Sequence, residues 1–132
     1  MSGNVKEIAQ EFINLKEEKK IYLSGGETTV EIKGKGIGGR NQELVLWFLK
    51  FLKEEPRNSI FISFNTDGID NTEFGGAIGD ILSLRKAEEK KLNLDEFLEN
   101  NDSFNFFKNI EDGIITGKLG SNVSDIMMLA NF

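Results

Sequence analysis

The sequence predicts a single-domain α/β fold with a mixed, mainly parallel sheet flanked by helices on both faces. The chain has 132 residues, a length that suits one domain with one hydrophobic core. Segments with helical spacing of apolar residues alternate with short apolar runs that are typical of strands. One run, residues 28–33, alternates apolar and polar side chains, which indicates an antiparallel neighbour and therefore a mixed sheet.

The first half of the chain predicts helices and strands in alternation. Residues 1–20 contain apolar side chains at helical spacing and are expected to form an N-terminal amphipathic helix of the same domain. A glycine-rich loop at 34–39 leads into a second helix, whose wide apolar surface predicts deep burial. We expect this second helix at 41–52 and strands at 21–23, 28–33 and 60–64.

The second half predicts three further helices and two strands. The first helix starts near Ala77 and continues into the charged stretch 85–91. Asn93 is expected to cap a short helix around residues 97–98, and Asp102 to cap another helix with several phenylalanines. We expect the two strands at 113–116 and 123–129.

Composition excludes several classes of function. The chain has no cysteine and no histidine, which removes disulfides, thiolate chemistry, histidine bases and Cys/His zinc sites. The formal charge of −6 argues against nucleic-acid binding, because phosphate contacts need clustered basic residues. No apolar run is long enough for a membrane span, and no signal peptide is recognisable, so we expect a cytoplasmic protein without membrane contact.

Four loops beside expected strand ends contain the residue types that a binding or catalytic site needs. Ligands of open α/β sheets bind beside the carboxyl ends of strands, so these loops are considered together. The loops are residues 24–27, 34–40, 65–70 and 116–122.

The loop at 34–40 has two interpretations. Its glycines let backbone N–H groups face an anion at the helix N-terminus, where Arg40 would bind a carboxylate or phosphate through two parallel hydrogen bonds. A merely flexible turn explains the glycines equally well. Gly34, Gly36 and Gly39 also fit the dinucleotide-binding spacing, but the alternating strand before them argues against that site.

The other loops also leave alternatives open. Asp67 and Asp70 follow a buried strand and are suited to hold Mg²⁺ or to orient a hydroxyl, while an Asx turn at Asp67 is the structural alternative. Glu27 lies either at the mouth of a site or in a plain hairpin turn. Asn122 either binds a polar ligand or caps a turn.

Five short motifs occur in a fixed order along these segments. They are Ser-Gly-Gly-Glu-Thr-Thr-Val at 24–30, Gly-Gly-Arg-Asn-Gln-Glu at 38–43, Thr-Asp-Gly-Ile-Asp at 66–70, Asn-Asp-Ser at 101–103, and Thr-Gly to Gly-Ser-Asn-Val at 116–123, followed by Asp125. Together they resemble the MOFRL domain, the C-terminal domain of two-domain glycerate 2-kinases. The resemblance covers residues 21–132.

The resemblance implies a function and a set of site residues. Full-length relatives phosphorylate D-glycerate to 2-phosphoglycerate with ATP and Mg²⁺, in a cleft between a larger N-terminal domain and this one; some relatives have the older label hydroxypyruvate reductase. The implied catalytic residues are Arg40, Asp67 and Glu27, with Asp67 as the candidate for Mg²⁺. The implied substrate-binding residues are Asn122, Asn41, Gly38, Gly39, Asp70 and Asp125.

The sequence departs from the family pattern in two loops and in extent. Lys118 and Leu119 replace a Pro-Thr pair, and a proline usual after Asp70 is missing. The larger domain, with the lysine that the family supplies from it, is also missing, so this chain is expected to be inactive alone and to need that domain as a partner. The alternatives are a free-standing anion-binding or regulatory module, which would cover its apolar surface as a homodimer, or a truncated piece of a longer enzyme.

Overall fold

The computed structural model describes residues 2–120 and 124–132, which form six strands and five helices. The strands are β1 (Ser2–Asn4), β2 (Lys20–Thr29), β3 (Ser59–Asn65), β4 (Gly76–Gly79), β5 (Gly113–Ile114) and β6 (Asp125–Asn131). The helices are α1 (Val5–Ile13), α2 (Arg40–Glu54), α3 (Ile81–Glu89), α4 (Leu94–Glu99) and α5 (Ser103–Ile110). All strands belong to one sheet with the order β1-β2-β6-β3-β4-β5.

The expected α/β fold with a mixed sheet is confirmed, but the sheet is mainly antiparallel rather than mainly parallel. Among the described strands, β1 and β2 pair in parallel and the other four pairings are antiparallel. β3 and β4 are consecutive and pair directly, and β6 inserts between β2 and β3 antiparallel to both. Alternation of helices and strands along the sequence does not specify these directions.

The helices pack together on one face of the sheet. This face presents Phe61, whose ring centroid lies 4.8 Å from that of Phe12 in α1 and 4.7 Å from that of Phe48 in α2. Helix α2 is central, since it contacts α1, α3, α4 and α5 as well as β3 and β4. Helices were expected on both faces, but within the described residues the second face has none.

The second face of the sheet is apolar, and we call it the open face. Strand register aligns Leu23, Met128, Ile62 and Ile78 in one row across β2, β6, β3 and β4. These side chains are separate from the buried cluster that contains Phe61. The same register assigns to the open face Ile21, Leu23, Ile60, Ile62, Phe64, Ile78, Ile114, Ile126, Met128 and Ala130.

Three segments differ from the sequence prediction. The strand expected at 28–33 with an antiparallel neighbour ends at Thr29, and Thr28 and Thr29 pair in parallel with β1. Beyond Thr29, backbone groups of Glu31 and Lys33 bind the side chain of Asn101 instead of a strand. Residues 24–26 do not form a turn, because Gly25 and Gly26 pair with Ile126 and Asp125 and so continue β2. Residues 76–79 form a strand and not the start of a helix, because their backbone pairs with β3. None of the helices in the described residues is long and apolar enough to cross a membrane.

The helix expected over residues 1–20 forms only at Val5–Ile13 as α1, because Ser2–Asn4 pair with β2 as a strand and β2 begins at Lys20. The helix expected at 41–52 is confirmed as α2. The side chain of Asn4 caps α1 by accepting a hydrogen bond from the backbone N–H of Lys6 at 2.9 Å. Asn93 caps α4 as expected, accepting from the backbone N–H groups of Asp95 and Glu96.

Neighbouring residues of β6 test the difference between the two faces. Leu129 is fully buried under the helices, so Leu129→Ala should lower the free energy of unfolding by about 3 kcal/mol through cavity formation. Met128 lies on the open face, so Met128→Ala should lower it by about 1 kcal/mol or less. Urea unfolding followed by circular dichroism measures both changes, and equal losses would contradict the one-sided packing.

Candidate functional site

Asp70 holds the N-terminus of helix α2. Its Oδ1 accepts hydrogen bonds from the backbone N–H and the side-chain amide of Asn41, at 3.2 and 3.1 Å. Its Oδ2 accepts from the backbone N–H and the side-chain amide of Gln42, at 2.9 and 3.0 Å. Burial raises the pKa of Asp70, and these hydrogen bonds oppose that effect. The negative charge expected at this helix N-terminus is therefore supplied by the protein itself.

Two glycines of the site are required by close packing. A Cβ on Gly39 would lie 2.0 Å from the carbonyl oxygen of Asp70, and a Cβ on Gly38 would lie 2.3 Å from Oγ of Ser103. Either contact is far shorter than van der Waals distance, so a larger residue would displace α2 or the segment around Ser103. The flexible-turn interpretation of this loop is therefore wrong: these glycines allow close approach.

The N–H groups of the preceding loop residues bind the segment 100–102 and not an anion. Oδ1 of Asn101 accepts from the backbone N–H groups of Lys33 and Gly34, at 2.6 and 2.9 Å. Further backbone donors to this segment are Lys35, Gly36 and Ile37. Within the described residues, the backbone N–H groups of Gly38 and Gly39 have no acceptor, so they are the loop donors left for a ligand.

Asn101 and Glu43 belong to this site, although sequence analysis did not select them. Asn101 has a φ of 52°, a conformation that asparagine tolerates, and its amide donates to Oε1 of Glu43 at 2.8 Å. Glu43 is 4% exposed, and burial raises its pKa, while the hydrogen bond from Asn101 opposes that effect. The available signal was an acidic residue on the buried side of α2.

Asp102 was expected to cap α5, and it makes no such contact with its side chain. Its Oδ1 instead accepts from the backbone N–H of Ile37 at 3.0 Å. The same oxygen accepts from the side-chain amide of Asn105 in α5 at 2.8 Å, so Asp102 joins the glycine-rich loop to the helix without capping its backbone.

Arg40 is held in place by two acids from neighbouring strands. Its Nε and one terminal nitrogen donate to the carboxylate of Asp125 at 2.6 and 3.1 Å, and its other terminal nitrogen donates to Glu27 at 3.0 Å. Asp125 is fully buried, whereas the Glu27 side chain is 73% exposed. The hydrogen bond with Asp125 raises the pKa of Arg40. Arg40 is therefore a permanent, oriented cation.

Arg40 lines a pocket of about 480 Å³ at the head of α2. Gly38, Gly39 and Asp70 also line it, so the structure brings these candidate residues together. Exposed isoleucines form part of the wall, namely Ile32, Ile37 and Ile69. The volume is typical of sites for small molecules, and its polar groups include unused N–H donors and a guanidinium.

The remaining sequence candidates lie elsewhere or have other partners. Asn41 is fully buried, and its Oδ1 accepts a hydrogen bond from the hydroxyl of Ser63, so its side chain connects α2 to β3. Asp67 does not line the pocket; its Oδ1 accepts from the backbone N–H of Ile69 at 2.8 Å, as in an Asx turn. Asn122 lies outside the described residues.

The acidic residues of the described segments are engaged mainly with neighbouring groups of the chain. In residues 2–120 and 124–132, no group of three or more acids is placed to share a metal ion. Asp70 has both carboxylate oxygens engaged, and Asp67 has one in its own turn. A role of Asp67 in binding Mg²⁺ therefore stays a prediction, since its second carboxylate oxygen is outside the turn.

The buried carboxyl of Glu43 predicts a pH-dependent stability. Because burial raises its pKa in the folded chain, its stabilising contribution is complete below the ordinary glutamate pKa and is lost as the pH rises through the raised value. Glu43→Gln keeps an acceptor for Asn101 without the charge, so it should raise the free energy of unfolding at pH 7 by about 1 kcal/mol.

Unfolding by urea at pH 7 and pH 4 measures this effect. The gain from Glu43→Gln should shrink at pH 4, where the wild-type carboxyl is neutral as well. Glu11→Gln, at an exposed position of α1, is the matched control and should change little at either pH. An equal gain for Glu43→Gln at both pH values would show that ionisation is not its source.

Comparison with known proteins identifies relatives of this chain. The MOFRL family model matches residues 20–125. Glycerate 2-kinase of Picrophilus torridus is 39% identical over 136 residues, covering 96% of this chain and 31% of the relative. D-glycerate 2-kinase of Thermotoga maritima is 41% identical over 107 residues, covering 80% of this chain and 25% of the relative.

The solved structures agree with the sequence relatives. The crystal structure of glycerate kinase from Thermotoga maritima has a TM-score of 0.90 and 33% identity, covering all of this chain and 34% of that chain. This chain spans about a third of the length of such relatives. A family model matched over most of the chain, with the same fold in a solved relative, shows that this protein belongs to the MOFRL family.

Proposed function

We propose that this chain is the C-terminal domain or subunit of a glycerate 2-kinase, which transfers phosphate from ATP to the 2-hydroxyl of D-glycerate. The products are 2-phosphoglycerate and ADP. The observation that supports this most is Arg40, held by the buried Asp125 beside the unused N–H groups of Gly38 and Gly39. Because the reaction consumes ATP, we place it in the cytoplasm.

Arg40 is suited to bind the substrate carboxylate or the transferring phosphoryl group. Its three contacts with Asp125 and Glu27 leave further N–H donors of the guanidinium unused. Phosphoryl transfer depends on positioning and on stabilising negative charge, and a preoriented guanidinium does both without reorganisation. Asp125 is then the positioning residue for Arg40.

Glu27 and Asp67 have secondary roles in the proposed reaction. The Glu27–Arg40 pair is exposed at the Glu27 side, so it is weak, and a substrate anion can take the place of Glu27. Asp67 lies outside the pocket of this chain alone, so its carboxylate oxygen outside the turn would reach the acceptor hydroxyl only in the cleft formed with the larger domain. Asn122, from the family motif, is proposed to orient the substrate. Asp70 is proposed to position Arg40 by binding the N-terminus of α2.

The larger domain completes the site. We assign to it the nucleotide contacts and the lysine that the family resemblance implies. Mg²⁺, when bound with ATP, neutralises phosphate charge; this chain contributes no cluster of acids for it in its described residues. The chain alone is then inactive.

Arg40→Ala should lower kcat/KM of the assembled kinase by about a hundredfold or more, because a charge-stabilising donor is lost. Arg40→Lys should recover only part of the activity, since an ammonium cannot pair with Asp125 through two parallel hydrogen bonds. A coupled assay for ADP, with ATP and D-glycerate as substrates, measures both.

Arg85→Ala is the matched control, because Arg85 is an exposed arginine of α3, remote in sequence from the site motifs. It should leave kcat/KM unchanged. If Arg40→Ala retains the activity of the wild-type enzyme, Arg40 does not have the proposed role.

A second candidate function is a non-catalytic module that binds small anions. It is favoured by one observation: the pocket and the orientation of Arg40 are formed by this chain alone. Calorimetric titration with D-glycerate and with phosphate separates the two functions. Tight binding by the isolated chain, with no activity after addition of the larger domain, would favour the module.

A further inference from the structure

The open face has the composition of a buried surface. Strand β3 places Ile60, Ile62 and Phe64 on this face, while Phe61 points into the helical layer on the other. Strand β6 shows the same two-sided apolar pattern. Strands with apolar side chains on both faces are typical of sheets covered on both faces.

The edge of this face exposes two large apolar side chains to solvent. Ile21 and Leu23 of β2 are 71% and 72% exposed, although the chain has 29% charged residues and a net charge of −6. Of the strand residues on this side, the antiparallel-paired positions of β2, β6, β3 and β4 are uncharged, and Glu27 stands beyond them near the end of β2. A contiguous apolar surface of this kind marks an interaction site.

The open face is continuous with the candidate site. Asp125, which binds Arg40, is the first residue of β6, and the next residue, Ile126, lies on the open face. Glu27, the second partner of Arg40, lies near the end of β2, the strand that contributes Leu23. A body that covers the open face therefore reaches the end of the sheet where the pocket lies.

We propose that the open face docks the larger domain of a glycerate 2-kinase through an apolar surface of that domain. The identity of this partner rests on the proposed function. The solved Thermotoga maritima glycerate kinase contains this entire fold within 34% of its chain, so the larger part of that enzyme remains to cover the face. The helical face needs no such partner, because α2 is already enclosed by the other helices.

Two leucines provide a matched test. Leu23 is 72% exposed on the open face, and Leu82 is 59% exposed on α3 in the helical layer. Leu23→Glu would bury an unpaired carboxylate in the proposed interface, whereas Leu82→Glu would leave its carboxylate in water. Met128→Glu adds a second charge nearer the centre of the face.

The experiment co-expresses the tagged chain with the part of the Thermotoga maritima glycerate kinase that lies outside its match. We expect equimolar retention of that part by the wild-type chain and by Leu82→Glu, and at least about tenfold less by Leu23→Glu and Met128→Glu. Circular dichroism and thermal melting of each purified chain confirm that the variants are folded.

Three results would overturn the inference. They are no retention by the wild-type chain, retention unaffected by both open-face substitutions, and a wild-type homodimer in light scattering that Leu23→Glu converts to monomer. The proposed function has a separate readout, the formation of ADP with ATP and D-glycerate. A complex that needs Leu23 but forms no ADP supports the proposed interface and contradicts the proposed function. A complex that forms ADP and is unaffected by Leu23→Glu supports the function and contradicts the interface.

Discussion

The carboxylate of Asp70 at the head of helix α2 is the interaction on which the site depends. It comes from the β3–β4 connection and accepts hydrogen bonds from Asn41 and Gln42. Gly39 lies so close to it that a side chain would not fit. Because Arg40 stands between these residues, its backbone position is determined from both sides. A buried charge is tolerable here because the helix terminus supplies N–H donors and a favourable dipole.

A second clamp acts on the glycine-rich loop. Asn101 binds Lys33 and Gly34 through its oxygen and Glu43 through its amide, so it joins the loop to α2. These two sets of hydrogen bonds fix the glycine-rich loop and the N-terminus of α2, which both line the pocket. Such preorganisation suits a reaction in which the protein positions charged groups rather than forming covalent bonds with them.

The sheet has one face covered by helices and, in the described residues, one face without helices. Helices cover the side of Phe61, and that layer provides the hydrophobic core. The open face shows apolar side chains to solvent in the described chain, and the site lies at the end of the same strands.

The sequence by itself determined the burial pattern and the chemical groups. Apolar periodicity located α2 and the strand around Phe61, because burial leaves a local signature, and ordered motifs selected Arg40 and Asp125 before their contact was visible. Only the tertiary structure decided strand direction, the one-sided helical layer and the division of labour between Asp67 and Asp70. Both acids occupy one loop, yet only Asp70 meets α2, far away in sequence. Local patterns report that a residue is buried or polar, whereas its partner depends on packing between distant segments.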